Sequence, residues 1–276
     1  VLLCSLGQPS RSTQPMLTRI CTALLFFLLA RTLPLHAQDQ SASAAAGGPI
    51  TTDRPAVTDS SLVVPAGSLQ LENGFLETRS QGQSVLDGPE TLLRFGVTAR
   101  TELRFTAPDY FHNLTTGQGS GFGDLAIGIK QQLGPTHGFD VSAVVFLSLP
   151  TGANFVSSGG YDPGLQIPWS RAVSANWTAA GMFSVYWPTQ GRTRNVTGES
   201  TFLFDRQLTK PWDAFLEYAG DFPESGAPRH LLHFGTALKL AKQQQIDFHV
   251  GVGLSPAALD HFIGIGYSFR LQTFSR

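Results

Sequence analysis

From residue 69 to residue 271 the chain runs through stretch after stretch of alternating apolar and polar residues, and the links between stretches are by turns very short and rather long. The short links are 99–100, 134–138, 173–176, 209–211 and 241–244; the longer ones are 80–89, 108–121, 150–162, 188–198 and 222–229. In a bacterial outer-membrane barrel every second turn faces the periplasm and is tight, while the others face outward and are free to lengthen. A soluble sandwich has no reason to keep that parity. The pattern predicts an all-β fold, a transmembrane antiparallel β-barrel of about twelve strands with both termini periplasmic.

The expected spans are 69–79, 90–98, 101–107, 122–133, 139–149, 163–172, 177–187, 199–208, 212–222, 230–240, 245–254 and 261–271. The cleanest alternations are Val141, Ala143, Val145, Leu147, Leu149 and Ile246, Phe248, Val250, Val252, Leu254. A third, Ile263, Ile265, Tyr267, Phe269, Leu271, gives the chain an apolar, aromatic last strand. Helical spacing fits none of them.

The start of the chain carries an export address. Residues 16–37 read as a secretory signal peptide, with Arg19 in a short polar start, an apolar core over 23–30 and a small residue, Ala37, before the expected cut. That core is shorter than the about 20 apolar residues a spanning helix needs. Residues 1–15 are expected to be an over-extended start, 38–66 a periplasmic segment with a small-residue linker, and 67–276 the barrel. Both cysteines, Cys4 and Cys21, precede the cut, so the exported chain would hold no disulfide.

Composition sets limits. With 14 % charged residues spread over 276, one domain with a full core is reasonable. The mean hydropathy, close to zero, is too polar for a helical membrane protein and ordinary for a barrel in which every second strand residue meets lipid. Three of the 19 basic residues and none of the 20 acidic ones precede residue 38, which leaves the rest of the chain acidic overall; no basic run points to nucleic acid.

Alternation alone leaves open which face is inside, since a soluble barrel would bury the residues that a porin shows to lipid. Three features favour lipid outside: ionisable residues on the opposite face of many strands, aromatics such as Trp169, Trp177, Tyr186, Trp187, Trp212 and Tyr267 near strand ends, and the loop parity. Arg206 is the awkward residue, on one face with Phe202, Phe204 and Leu208, where it would have to snorkel.

Thr52-Asp53-Arg54-Pro55, followed by Val63-Val64-Pro65-Ala66-Gly67-Ser68-Leu69-Gln70-Leu71-Glu72-Asn73-Gly74-Phe75, resembles the opening of the outer-membrane family labelled "MetA pathway of phenol degradation". Gly121-Phe122-Gly123-Asp124-Leu125-Ala126-Ile127-Gly128-Ile129-Lys130, then Ser148-Leu149-Pro150-Thr151-Gly152, then the run from Pro163-Gly164 to Trp169-Ser170 resemble the same family in the same order. The resemblance implies an outer-membrane barrel with a loosely defined role in passing hydrophobic or aromatic compounds. It supplies no catalytic residues.

The candidate site residues face the expected lumen: Arg94, Arg104, Asp124, Lys130, Glu217, His233, Lys239 and Asp247, with an electrostatic role in filtering solutes or holding a plug. Asp53 and Arg54 either fold back into the lumen or hold the mouth by a charge-assisted contact, against the plainer reading of a local turn set by Pro55. No cofactor or metal is expected. The expected partners are outer-membrane lipid, the barrel-assembly machinery acting on the C-terminal strand, and a small hydrophobic solute. Two other readings stay open: an outer-membrane lipid hydrolase, which needs a Ser or Thr hydroxyl within reach of His233 or His249, and a soluble secreted barrel with a ligand inside.

Overall fold

The computed structural model describes residues 48–115 and 119–272; the expected start segment, the signal peptide, nearly all of the linker, and Phe274 lie outside them. The strands are β1 (Ser68–Ser80), β2 in two pieces (Gln83–Gly88 and Leu92–Gly96), β3 in two pieces (Thr101–Thr106 and Tyr110–Asn113) and β4 in two pieces (Gly121–Phe122 and Leu125–Gln132). They continue as β5 (Asp140–Leu149), β6 (Asp162–Ser174), β7 (Trp177–Tyr186), β8 (Thr197–Thr209), β9 (Trp212–Pro223), β10 (Arg229–Ala241), β11 (Gln244–Gly253) and β12 (His261–Gln272). Each pairs antiparallel with its chain neighbours, and β12 returns to β1 in a register running from Ser68 opposite Gln272 to Arg79 opposite His261. Closure satisfies the N–H and C=O groups that an open edge would leave bare in lipid.

The outside of this barrel is apolar and its inside polar, which settles the question of the two faces. Val145, Phe183 and Ile265 are each close to 60 % exposed on the outer wall, whereas Glu72, Arg94, Glu102, Lys130 and Glu217 in the lumen are fully buried. A soluble barrel with an apolar interior would show the reverse. An apolar wall of this extent calls for lipid rather than water. Arg206 stays on the outer face, its guanidinium 5.2 Å from the centre of the Trp177 ring directly opposite it on β7, a cation–π contact near the strand end.

Two expected loops are structured. The stretch 80–89 is a tight turn followed by strand: Ser80 faces Gln83, and Gln81 (φ 51°) and Gly82 (φ 79°) take the left-handed backbone that a two-residue hairpin turn requires. The polar run Ser80-Gln81-Gly82-Gln83-Ser84 disguised both. Within 188–198, Thr189–Gln190 pairs with Thr193–Arg194 as a small hairpin.

The breaks in β2, β3 and β4 fall side by side, at 89–91, 107–109 and 123–124. Pro89 and Pro108 have no N–H to give, and Gly123 brings no side chain, so the ladder bends here. Single bonds carry it across: Gly74 N–H to Pro89 O at 2.7 Å, Ala107 N–H to Thr91 O at 2.9 Å and Gly123 N–H to Asp109 O at 2.8 Å.

Candidate functional site

Residues 48–66 do not join the wall; they fold inside it as a plug at the end of the links 99–100 and 241–244, opposite the turn at 81–82. Ile50 N–H donates to Lys242 O and Gly67 N–H to Gly96 O, which ties both ends of the segment to the turns at the mouth. Gly96 makes room, because a side chain there would collide with the carbonyl oxygens of Val64 and Pro65.

An irregular segment inside a barrel needs partners for its backbone groups. The charged side chains of the wall supply them. Glu72 accepts from the N–H groups of Asp53 (2.8 Å) and Arg54 (3.0 Å), Glu217 from those of Val57 (2.8 Å) and Thr58 (2.7 Å), and Glu102 from that of Val64 (2.7 Å). In the other direction Lys130 donates to Ser60 O (2.8 Å), Arg94 to Leu62 O (3.0 Å) and Ser142 to Ser61 O (2.5 Å). Ser61 with Ser170 and Thr58 with Thr201 share hydroxyl bonds. The wall replaces a strand ladder by side chains of both signs.

Two plug side chains complete the network. Asp53 meets Lys130 (3.1 Å), Arg94 (3.1 Å) and Arg104. Burial pushes its carboxyl up, yet Arg104, Arg94 and Lys130 together outweigh burial and hold it well below the usual carboxylate range. Arg54 points the opposite way, to Glu90 beside the wall break and to Asp247 on β11 (3.3 Å). Burial works against its charge and the two carboxylates more than restore it.

A chain of rings runs behind Arg54. Glu217 Oε2 lies 2.7 Å from His233 Nδ1, His233 Nε2 lies 3.0 Å from His249 Nδ1, and His249 Nε2 faces Arg54 Nη2 at 3.4 Å. A guanidinium only donates, so His249 accepts at Nε2 and donates at Nδ1, and His233 in turn donates to Glu217. Every nitrogen of the two rings is thereby occupied. Among the described residues no hydroxyl is hydrogen-bonded to either ring.

Of the residues singled out from sequence, Asp53, Arg54, Arg94, Arg104, Lys130, Glu217, His233 and Asp247 come together around the plug. Lys239 stands apart, paired with Asp213 near the mouth. Asp124 is apart as well: it lies in the break of β4 and accepts from Thr151 N–H (3.0 Å), Gly152 N–H (2.8 Å) and Ser157 Oγ (2.9 Å), fastening the loop beyond β5. Sequence reasoning passed over Glu72 and Glu90 as site residues and left Glu102 and His249 among the general lumen charges. Glu72 was findable, since it alternates with Leu69 and Leu71 on the first strand. Glu90 opened the expected strand 90–98, whereas the structure places it in the break at 89–91.

The plug's ion pairs fall on β2 to β4 and on Asp247 of β11, while Ser170, Thr201 and Glu217 bond it to β6, β8 and β9 as well. Between the plug and β6 to β10 lies a cavity of about 480 Å³, lined on the wall by Ala180, Leu203, Asp205, Phe215, Ala237 and Lys239. Among the described residues no cluster of His, Cys, Asp and Glu has the form of a metal site.

Residues 52–271 match the sequence model of the family described as "Putative MetA-pathway of phenol degradation". The fold is similar to that of the COG4313 outer membrane channel from Pseudomonas putida F1, at a TM-score of 0.62 and 12 % identity, over 79 % of this chain and 100 % of that one. It is also similar to the NanC porin (TM-score 0.54, 8 % identity, 74 % and 100 % covered) and to the KdgM porin in complex with disordered oligogalacturonate (0.52, 10 %, 73 % and 98 %). A search of curated proteins finds no match.

Proposed function

The chain belongs to the family of the MetA pathway of phenol degradation, and from that premise we propose that it is an outer-membrane channel for the passive uptake of small hydrophobic or aromatic molecules. The observation that carries this reading is the cavity left beside a plug inside a closed barrel with an apolar outer wall. A barrel serving only as an anchor has no need to leave space there. The similarity of the fold to channels and porins supports the same reading. In this reading the links 99–100, 134–138, 173–176, 209–211 and 241–244 and both termini face the periplasm, as in other bacterial barrels, and the loop held by Asp124 covers the outer mouth.

The mechanism is passive. The barrel provides a route through the lipid, the plug narrows it, and the lining decides what enters. The experiment is paired: conductance of the purified protein in planar bilayers, and uptake of an aromatic panel by cells with and without the protein. Conductance together with slower uptake in the deleted strain is expected. Silent bilayers with unchanged uptake overturn the reading.

A further inference from the structure

The cavity beside the plug is unevenly charged. Asp205, on the lumen face of β8, lies opposite Thr178 on β7 and Phe215 on β9, and accepts no hydrogen bond from a described residue. Lys239, the cation that the described wall residues bring to the cavity, is already paired with Asp213. Across the lumen the strong cations are spent: Arg94, Arg104 and Lys130 are engaged by Asp53, Glu72, Glu102 and Asp59. On the cavity wall two carboxylic acid side chains, Asp205 and Asp213, therefore stand against one lysine, Lys239, and no cation is left over.

The rest of the lining is mixed: Leu203 and Phe215 on the wall and Ile50 and Leu62 on the plug give it apolar patches, between polar side chains such as Thr178 and Gln207. Its volume of about 480 Å³ lies within the range of roughly 300–1,000 Å³ that accommodates small organic ligands. An apolar body fits the apolar patches, and a carboxylate in a confined, weakly screened space repels a second anion.

We propose that the cavity between the plug and β6 to β10 is the solute path, and that Asp205 makes it accept neutral and cationic aromatic solutes while rejecting anionic ones. This rests on the channel reading above and narrows its substrate class. The opposite wall, sealed by the plug's ion pairs, takes no part.

The test uses the purified protein in planar bilayers under a KCl gradient, and in liposome swelling with benzylamine, cationic at neutral pH, and benzoate. The wild type is expected to favour K⁺ over Cl⁻ and benzylamine over benzoate. Asp205→Asn should shift the reversal potential toward that of Cl⁻, Asp205→Lys should carry it further, and both should lessen the preference for benzylamine. Ala180→Phe with Ala237→Phe, which fills the cavity, should lower conductance and benzylamine entry. Gln132→Lys, on the sealed side, should leave the potential unchanged. Heat-modifiable gel mobility verifies that each variant is folded. A conducting protein whose potential and solute order ignore both Asp205 variants overturns this proposal and leaves the channel reading standing. A wild type that neither conducts nor admits benzylamine overturns the two together.

Discussion

Gly74 and Gly266 stand directly opposite each other across the seam that closes the barrel, and the Arg54 guanidinium lies where their side chains would be. A Cβ on Gly74 would come within 2.2 Å of Arg54 Cζ, and one on Gly266 within 2.5 Å of its Nε and 2.6 Å of Asp247 Oδ2. The seam thus carries a flat recess shaped for a guanidinium between two carboxylates.

Gly266→Ala should therefore push Arg54 off Asp247. Overpacking of this kind costs about 1–3 kcal/mol, and Arg54→Ala, which strands Glu90 and Asp247, about 3–5 kcal/mol. Hydrogen exchange of the plug amides at 50–64 is the measurement, with faster exchange in both variants and most in Arg54→Ala. Wild-type protection in Gly266→Ala would mean that the recess does not hold Arg54.

Asp53 gives the plug its acid resistance. Its carboxyl is held below its ordinary value of 3.8, because Arg104, Arg94 and Lys130 outweigh burial. A carboxylate with a depressed pKa contributes fully above that ordinary value, and the contribution is lost as pH falls below it toward the folded pKa. As far as Asp53 governs docking, plug protection should be the same at pH 7 and pH 5 and should begin to fall only below about pH 4. Asp53→Asn leaves three buried cations short of a partner, costs about 3–5 kcal/mol, and should expose the plug to protease already at pH 7. Equal protease resistance of variant and wild type would refute the assignment.

The face assignment has a direct test at Val145, 60 % exposed on the outer wall. Val145→Arg should cost about 2–4 kcal/mol in unfolding from lipid vesicles if the site is near the bilayer midplane. Ser142→Ala, three residues away in the lumen, removes one hydrogen bond to Ser61 O and should cost about 1 kcal/mol. Equal costs at the two sites would contradict lipid on the Val145 side.

Phe269 lies opposite Leu71 on the closing seam. If the last strand is the signal read during assembly, Phe269→Ala combined with Phe274→Ala should cut the yield of folded protein in the outer membrane. Unchanged yield would remove that role from the C-terminal strand.

Strand count, antiparallel order and the inward set Arg94, Glu102, Lys130, Glu217, His233 and Asp247 were legible in the residues, because a side-chain period of two shows wherever one face is apolar. The same rule failed at 83–88, where Gln83 and Ser84 follow a polar turn and the short piece of strand blends into it. It also gave no sign that the breaks at Pro89, Pro108 and Gly123 fall side by side, which depends on the register of three strands rather than on any one of them. For Asp53 and Arg54 the residue types limited what they could do, leaving a lumen contact or a turn at Pro55.

The sequence by itself determined the wall, since alternation and turn chemistry are local and each strand carries its own pattern. Only the tertiary structure decided where the plug goes and which wall it takes. Asp53 meets Lys130 across 77 residues, and Arg54 meets Asp247 across 193. Those pairings exist because closing the barrel brings the inward charges of β1 to β5 and of β9 to β11 around one enclosed space. There a buried charge is tolerated only with a partner, and the plug's backbone and side chains are the partners within reach.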